Sequence, residues 1–352
     1  MIKVGIYGAS GYMGSEALRV LLKHPDVSVE WATSRSDTPA EHSHKNFYGR
    51  GVNFVKPSEV TPCDVVFFAS IPAGMTAQVC RPFLAQGCKI IDLGSDFRLK
   101  DRAEWERVYQ KPHLDWSLAE EAVYGICELH RDEIKKARII ANPGCYSSSS
   151  ILALAPLASE KLIDFDKIIV DGLSGTVGAG SDLDIALHHP EITNNILPYN
   201  VVGHRHSYEI EQELSLLAKG KVTINFSACY VPISRGILTI NHCFPIKPLK
   251  RGDLLDLYKD FYKDEYFIKI IDIPKDENAS WNYLPYPWVA AVSATNFCHI
   301  GLDVDEKRNR IVVYSVLDSI GKGGALAGVQ NMNIMFGLDE KTGLDFYGIH
   351  PY

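Results

Sequence analysis

Ile2-Lys3-Val4-Gly5-Ile6-Tyr7-Gly8-Ala9-Ser10-Gly11-Tyr12-Met13-Gly14 opens the chain. An apolar run leads into a turn with glycines at 8, 11 and 14. Ala17, Leu18, Val20, Leu21 and Leu22 then recur at helical spacing. The stretch reads as a strand over 2–7, a turn, and a helix over 14–24, with a first strand rather than a secretory leader at the N-terminus. Glycines in such a turn allow a tight bend and a close approach of backbone to a pyrophosphate, which rests on the helix N-terminus. A glycine turn by itself is also common as plain structure. Its place between the first strand and the first helix makes it a dinucleotide-binding signature. The expected cofactor contacts here are Gly8, Ser10, Gly11, Tyr12 and Met13.

The alternation continues outward from this turn. Strands are expected over 27–33, 64–70 and 89–93, with a helix over 75–85. The run Asp64-Val65-Val66-Phe67-Phe68-Ala69-Ser70 lacks polar alternation, as buried parallel strands do. Strands alternating with helices predict a doubly wound α/β domain of the Rossmann type. The second strand ends in Thr33-Ser34-Arg35-Ser36, with no acid until Asp37. An acid there would bind a ribose hydroxyl, whereas hydroxyls and a guanidinium suit a 2′-phosphate. The cofactor is therefore expected to be NADP(H), held in part by Ser34 and Arg35; the competing reading makes Arg35 a solvated surface charge.

Beyond residue 160 the pattern changes. Strands are expected over 167–173, 222–233, 236–244, 296–304 and 310–317, with helices over 206–218 and 323–336. Asp305-Glu306-Lys307-Arg308-Asn309 reads as a hairpin connection. Long strands with few helices predict a second, α+β domain with a largely antiparallel sheet. No internal repeat, low-complexity block or linker marks the boundary.

Composition narrows the class. The 352 residues suit two domains, and 46% hydrophobic with 22% charged residues is ordinary for a globular protein. A net charge of −7 gives no basic footprint for nucleic acid. No apolar run is long enough to cross a bilayer. The eight cysteines form no C-x-x-C pair and no zinc spacing, so no metal is expected. Scattered cysteines in a chain of this size read as reduced, cytoplasmic thiols.

One of these cysteines stands out. In Ile139-Ile140-Ala141-Asn142-Pro143-Gly144-Cys145-Tyr146 a β-branched run ends at turn formers and a helical pattern begins at the thiol. Unpaired N–H groups and the helix dipole at that position favour thiolate, the nucleophilic form. Most cysteines are simply buried, and that reading competes. Gly203-His204-Arg205-His206-Ser207-Tyr208-Glu209 opens another helix, with His206 and Glu209 on one face. A carboxylate beside an imidazole fixes its tautomer, and a histidine near neutral pH serves acid–base chemistry. Arg98, in Asp92-Leu93-Gly94-Ser95-Asp96-Phe97-Arg98, and Arg235, in Ser234-Arg235-Gly236, either hold an anion or form structural ion pairs. A second glycine-rich loop, Ser174-Gly175-Thr176-Val177-Gly178-Ala179-Gly180, either brings the Ser174 and Gly175 region to a nicotinamide or phosphate or is a plain turn.

Taken in order, these segments resemble the N-acetyl-γ-glutamyl-phosphate reductases, NADP-dependent enzymes of arginine biosynthesis within the semialdehyde dehydrogenase superfamily. The likeness runs through the Gly8–Gly14 turn, Asp96-Phe97-Arg98, Asn142 to Tyr146, His204-Arg205-His206 with Glu209, Arg235-Gly236-Ile237-Leu238, and Gln330-Asn331-Met332-Asn333. The resemblance implies reduction of an acyl phosphate to a semialdehyde through a thioester. Carried over, Cys145 is the nucleophile and His206 the acid–base, with Glu209 orienting it. Arg98, Asn142, His204 and Arg235 fall to the substrate. The resemblance also implies that the last helix, with Asn331, returns to the cofactor domain. The expected organisation is thus 1–145 with 320–352 for the cofactor and 146–319 for catalysis and homo-oligomerisation, as a dimer or tetramer.

The chain departs from the family's usual pattern in three places. Ser147-Ser148 replaces Pro-Thr, Thr176 and Val177 interrupt the second glycine loop, and Gly323-Gly324-Ala325-Leu326-Ala327-Gly328 opens the last helix. His188-His189-Pro190-Glu191 resembles the lysine-pathway branch, whose acyl phosphates of glutamyl or aminoadipyl length ride on an acidic carrier protein. That makes a carrier-linked substrate the alternative. Aspartate-semialdehyde dehydrogenase shares the reaction type without this His-Arg-His cluster. A non-catalytic NADP(H) sensor with a buried Cys145 is the reading from another class.

Overall fold

The computed structural model describes residues 1–35, 37–69, 71–273 and 285–349. Ser36, quoted at the end of the second strand, and Ser70, the last residue of the strand expected over 64–70, lie outside the described residues. The chain forms two compact units, one of 1–143 with 324–345 and one of 144–323 with 346 onward. The break falls before Gly144, so Cys145 belongs to the second unit.

The first unit is a six-stranded parallel sheet in the order β2-β1-β3-β4-β6-β5. Its elements are β1 (Ile2–Tyr7), α1 (Tyr12–Leu21), β2 (Val27–Ala32), α2 (Ala40–Ser43), β3 (Val65–Phe68), α3 (Thr76–Ala85), β4 (Lys89–Asp92), α4 (Arg102–Tyr109), α5 (Trp116–Glu121), β5 (Val123–Tyr124), α6 (Cys127–Ile134) and β6 (Ile139–Ala141). The central strands are apolar on both faces, and every residue of β3 is buried. Gly5 sits mid-strand because the Trp31 ring lies on it. A Cβ there would meet the ring 2.1 Å away, and the pairing with β2 shifts at this point. The strand order turns about β1, which has β2 on one side and β3 on the other. Ligands of open α/β sheets bind outside the carboxyl ends of strands at such a point. The Gly8–Gly14 turn, Thr33–Arg35, the loop from Asp92 to Arg98, and Asn142 all follow those ends.

In the second unit, α7 (Cys145–Ser159) leads to β7 (Ile168–Ser174), α8 (His189–Ile192), β8 (Leu197–Tyr199), α9 (Arg205–Ala218), β9 (Ile224–Tyr230), β10 (Ile237–Cys243), α10 (Arg251–Phe261), β11 (Ile268–Ile270), β12 (Cys298–Asp305) and β13 (Arg310–Leu317). The seven-stranded sheet has the order β11-β12-β13-β10-β7-β9-β8. It is antiparallel except where β7 runs parallel to β9 and β11 to β12. Alternate residues of β10 are buried, and α7 packs on β10 and β13 while α9 packs on α7 and β9. The expected hairpin forms, with Asn309 left-handed at φ 48°.

The chain then returns to the first unit through α11 (Leu326–Met335), which packs on α1, α6 and β4. The helix expected over 323–336 begins later, because Gly321–Ala325 forms a wide π turn with Gly324 non-helical. No helix among the described residues is long and apolar enough to cross a membrane, and no metal cluster occurs among them.

Candidate active site

In the first unit the Gly8 turn is tied to the end of β2. Gly8 N–H donates to Thr33 Oγ1 at 3.0 Å and Ala9 N–H to the Thr33 carbonyl at 2.8 Å. Gly8 has φ 85°, which favours glycine. Gly11 caps α1 with no side-chain hydrogen bond, so Tyr12 and Met13 open the helix with donors facing outward. A Cβ on Gly14 would lie 2.5 Å from the Gly8 carbonyl oxygen, so only glycine lets the helix start close against the turn. Ser34 is buried and Arg35 is exposed at the end of β2.

Asn331, on α11, is fully buried in the same unit. Its Nδ2 donates to the Gly125 carbonyl at 2.8 Å and to Asn142 Oδ1 at 3.3 Å. Asn331 Oδ1 has no hydrogen-bond partner among the described residues. A glycine cradle that a Cβ would fill and a buried orphan acceptor fit a dinucleotide. Asn142 is itself held from three sides: its N–H donates to the Asp92 carbonyl at 2.9 Å, its Nδ2 to the Gly324 carbonyl at 3.1 Å, and its carbonyl accepts from Arg98 Nε at 2.8 Å. Arg98 is buried, and it also donates to the Leu93 carbonyl at 3.2 Å. Its guanidinium therefore braces the loop at Asn142; the sequence offered it either as an anion holder or as half of a structural ion pair.

Asp92 lies behind that loop, fully buried. Its Oδ1 accepts from Gly94 N–H at 3.0 Å and Thr76 Oγ1 at 3.2 Å, and its Oδ2 has no partner among the described residues. Burial first, and the neighbouring Asp96 second, push its pKa up to about 7.

The second unit gathers Cys145 and the histidines. Cys145 begins α7, with Gly144 as the cap residue. Glu209, fully buried on α9, accepts from Gly144 N–H at 3.0 Å through Oε2. Its Oε1 lies 4.0 Å from His206 Nε2. A Cβ on Gly144 would meet His206 Nε2 at 2.4 Å, so the imidazole sits directly against the residue preceding the thiol. One carboxylate thus fastens the start of the helix headed by Cys145 to the helix that carries the acid–base candidate. Ser147, in place of the family's usual proline, donates its hydroxyl to the His206 carbonyl at 3.4 Å, a second, weaker tie.

His204 caps α9, its Nδ1 accepting the His206 N–H at 3.2 Å. Burial first, then the Arg205 charge, lower its pKa to about 4, so it stays neutral and keeps its acceptor at physiological pH. Its ring stands edge-on to Tyr146 and Tyr199 and leans on Phe226. His204 thus caps the helix that carries His206; the sequence reading offered it to the substrate. Tyr199 hydroxyl donates to Tyr146 hydroxyl at 3.2 Å, and Tyr146 donates to the Gly172 carbonyl at 3.3 Å. Burial pushes both phenols up, so they act as hydrogen-bonding groups.

The second glycine loop meets the Arg235 turn. Gly175, Thr176 and Val177 donate their N–H groups to the carbonyls of Gly236, Ile233 and Ser234 at 2.9 to 3.0 Å. Those amides hold the turn between β9 and β10, not a ligand, while Ser174 Oγ donates to the Gly175 carbonyl at 2.8 Å. Arg235 pairs bidentately with Asp318, Nε to Oδ2 at 2.8 Å and Nη2 to Oδ1 at 2.9 Å. The sequence reading gave no role to Asp318, Tyr146 or Tyr199 and saw no special demand on Gly144. The only trace of Asp318 in the sequence is an acid at the end of an apolar strand, just before a glycine-rich turn.

Comparison with known proteins bears on both units. Residues 3–137 match the family model described as semialdehyde dehydrogenase, NAD binding domain, and residues 145–319 match semialdehyde dehydrogenase, dimerisation domain. Among solved structures, aspartate semialdehyde dehydrogenase II of Vibrio cholerae superposes with a TM-score of 0.68 at 18% identity, covering 96% of this chain and 98% of that one. The Candida albicans aspartate semialdehyde dehydrogenase with NADP gives 0.61 at 15%, covering 96% and 98%. These likenesses show the fold. Closer in sequence are proteins named N-acetyl-gamma-glutamyl-phosphate reductase. That of Desulforamulus reducens is 39% identical over 357 residues, and that of Thermoanaerobacter sp. (strain X514) is 40% identical over 359, each covering 100% of both chains. On an end-to-end match at 39–40% identity, the chain belongs to the N-acetyl-gamma-glutamyl-phosphate reductase family.

Proposed function

We propose that this chain reduces N-acetyl-γ-glutamyl phosphate to N-acetylglutamate 5-semialdehyde with NADPH, releasing phosphate. The observation that carries the reading is Cys145 at the start of α7 with His206 Nε2 packed against Gly144. Cys145 Sγ bonds to the acyl carbon, the acyl C–O bond breaks, and phosphate leaves with the electron pair. A thioester remains. NADPH, when bound, supplies the hydride for its reduction. His206 takes the thiol proton during attack and returns it to sulfur as the C–S bond breaks and the aldehyde carbonyl re-forms. Glu209 holds the His206 ring and the Gly144 amide in one arrangement.

Gly8, Ser10, Gly11, Tyr12 and Met13 hold the diphosphate in this reading, Ser34 and Arg35 the 2′-phosphate, and Asn331 the nicotinamide amide. Arg235 anchors an anionic group of the substrate. Arg98, Asn142 and His204 act through the loops and the helix they brace, and Ser174 and Gly175 through the Arg235 turn. The match to a dimerisation domain supports a homo-oligomer, and the cytoplasm is the proposed compartment. The relatives' names favour a free substrate over a carrier-linked one. Asp182, Asp184 and Glu191 flank the His188-His189 segment and would repel an acidic carrier.

The test is phosphate-dependent NADP⁺ reduction with N-acetylglutamate semialdehyde, the reaction run backwards. Turnover is expected to need phosphate and to vanish in Cys145→Ser, which should still bind NADPH. Turnover retained in that variant would end the thioester mechanism. Absence of turnover in the unaltered protein, with NADPH bound, would end the substrate assignment.

A further inference from the structure

Asp318 receives more donors than any other carboxylate described above. It is fully buried at the end of β13. Its Oδ2 accepts from Arg235 Nε at 2.8 Å and from Ala294 N–H at 2.7 Å. Its Oδ1 accepts from Arg235 Nη2 at 2.9 Å, Ile320 N–H at 3.0 Å and Gly321 N–H at 2.7 Å. Five donors saturate a carboxylate. The bond to Ala294 is also demanding: that residue has φ 60°, a left-handed conformation that alanine rarely adopts and that the surroundings must hold in place.

Of the segments tied together here, one carries Arg235 and another lies beside Cys145. Arg235 keeps its side chain 26% exposed. The turn through Ile320 and Gly321 continues to Gly323, whose N–H donates to the Asp318 carbonyl at 2.9 Å. A Cβ on Gly323 would lie 2.8 Å from Cys145 Cβ, so this turn forms the wall against the nucleophile. One side chain therefore fixes the guanidinium and, through four residues of backbone, the surface beside the thiol.

We propose that Asp318 is a positioning residue that aims the Arg235 guanidinium relative to Cys145, and so sets how tightly the anionic end of the substrate is held. The inference rests on the reading of Arg235 as the substrate's anion anchor. A guanidinium held along one edge by a fixed carboxylate presents one direction to a ligand, whereas a lysine at the same place would be a point charge on a flexible stem. Asp318 acts through Arg235 and touches no reacting atom.

The experiment is a double-mutant cycle in the phosphate-dependent reverse reaction, with KM for N-acetylglutamate semialdehyde as the main readout and thermal melting as the check on folding. Arg235→Ala and Asp318→Asn should each raise KM about tenfold or more with kcat changed less than about threefold. The double variant should be no worse than Arg235→Ala, because contacts in one network do not add. Should Asp318→Asn fail to fold, Arg235→Lys decides the matter: it keeps the charge, loses the held edge, and should raise KM as much as Arg235→Ala. A near-normal KM in Arg235→Lys, or additive losses in the double variant, would overturn the positioning role while leaving the anchor in place. A normal KM in Arg235→Ala would instead remove the anchor reading itself.

Discussion

Gly144 shows how a residue with no side chain can be the most constrained position in a site. Its φ of −68° and ψ of 152° are open to any residue, so backbone conformation does not demand glycine here. The demand comes from the imidazole, since a single methyl group would overlap His206 Nε2 at 2.4 Å. Gly144→Ala should therefore fold, at a cost of about 1–3 kcal/mol for the crowding. Its turnover should fall about a hundredfold, as expected when a catalytic group moves by about an ångström. Steady-state rates beside a melting curve would check this, and normal turnover would mean that His206 has room to shift without consequence. At this scale the sequence was half legible. Cys145 and His206 announced themselves by standing at the starts of predicted helices. The need for glycine at 144 and the pairing of Asp318 with Arg235 depend on contacts 62 and 83 positions apart, where no local pattern points, and the burial that keeps His204 neutral leaves no local mark either.

Among the elements, β4 and the loop after it carry a buried charge imbalance. Asp92, Asp96 and Arg98 are all buried there, two carboxylates to one guanidinium. Asp96 accepts backbone N–H groups from Gly74 and Ala77 at 2.6 and 3.1 Å. Asp92 faces Asp96, Arg98, Thr76 and Gly94, and its pKa rises to about 7. Its ordinary value is 3.8, so the folded protein binds this proton more tightly than the unfolded chain does. The resulting stability is present in full below about pH 4 and is lost as pH rises towards 7. Asp92→Asn should flatten that slope and raise the melting temperature above pH 7, the difference reaching a few kcal/mol at most. Melting temperatures from pH 5 to 8 would show it, and parallel curves for the two proteins would refute it. Strands β1 to β4 were readable because buried parallel strands are largely apolar runs, whereas the two- and three-residue strands β5, β8 and β11 are too short to show a pattern. Helices α4, α6 and α10 were not, since their polar faces leave few apolar residues to show a period.

For the molecule as a whole, the two units divide the chemistry. The first carries the glycine turn and the Thr33–Arg35 strand end, and the second carries Cys145, His206 and Arg235. The cofactor choice belongs to the first alone. Arg35→Ala should weaken NADPH binding tenfold or more while changing NADH binding less than about threefold, since a guanidinium to phosphate contact is charge-assisted. Fluorescence titration with both nucleotides would decide, equal losses removing the 2′-phosphate assignment. Every residue of α7 from Tyr146 to Ala158 is buried. Amides in such an element exchange with solvent deuterium only when the whole unit opens. Cys145 thus heads a helix buried along its length, so heat should leave its seating intact until the second unit unfolds, with no earlier phase of local fraying.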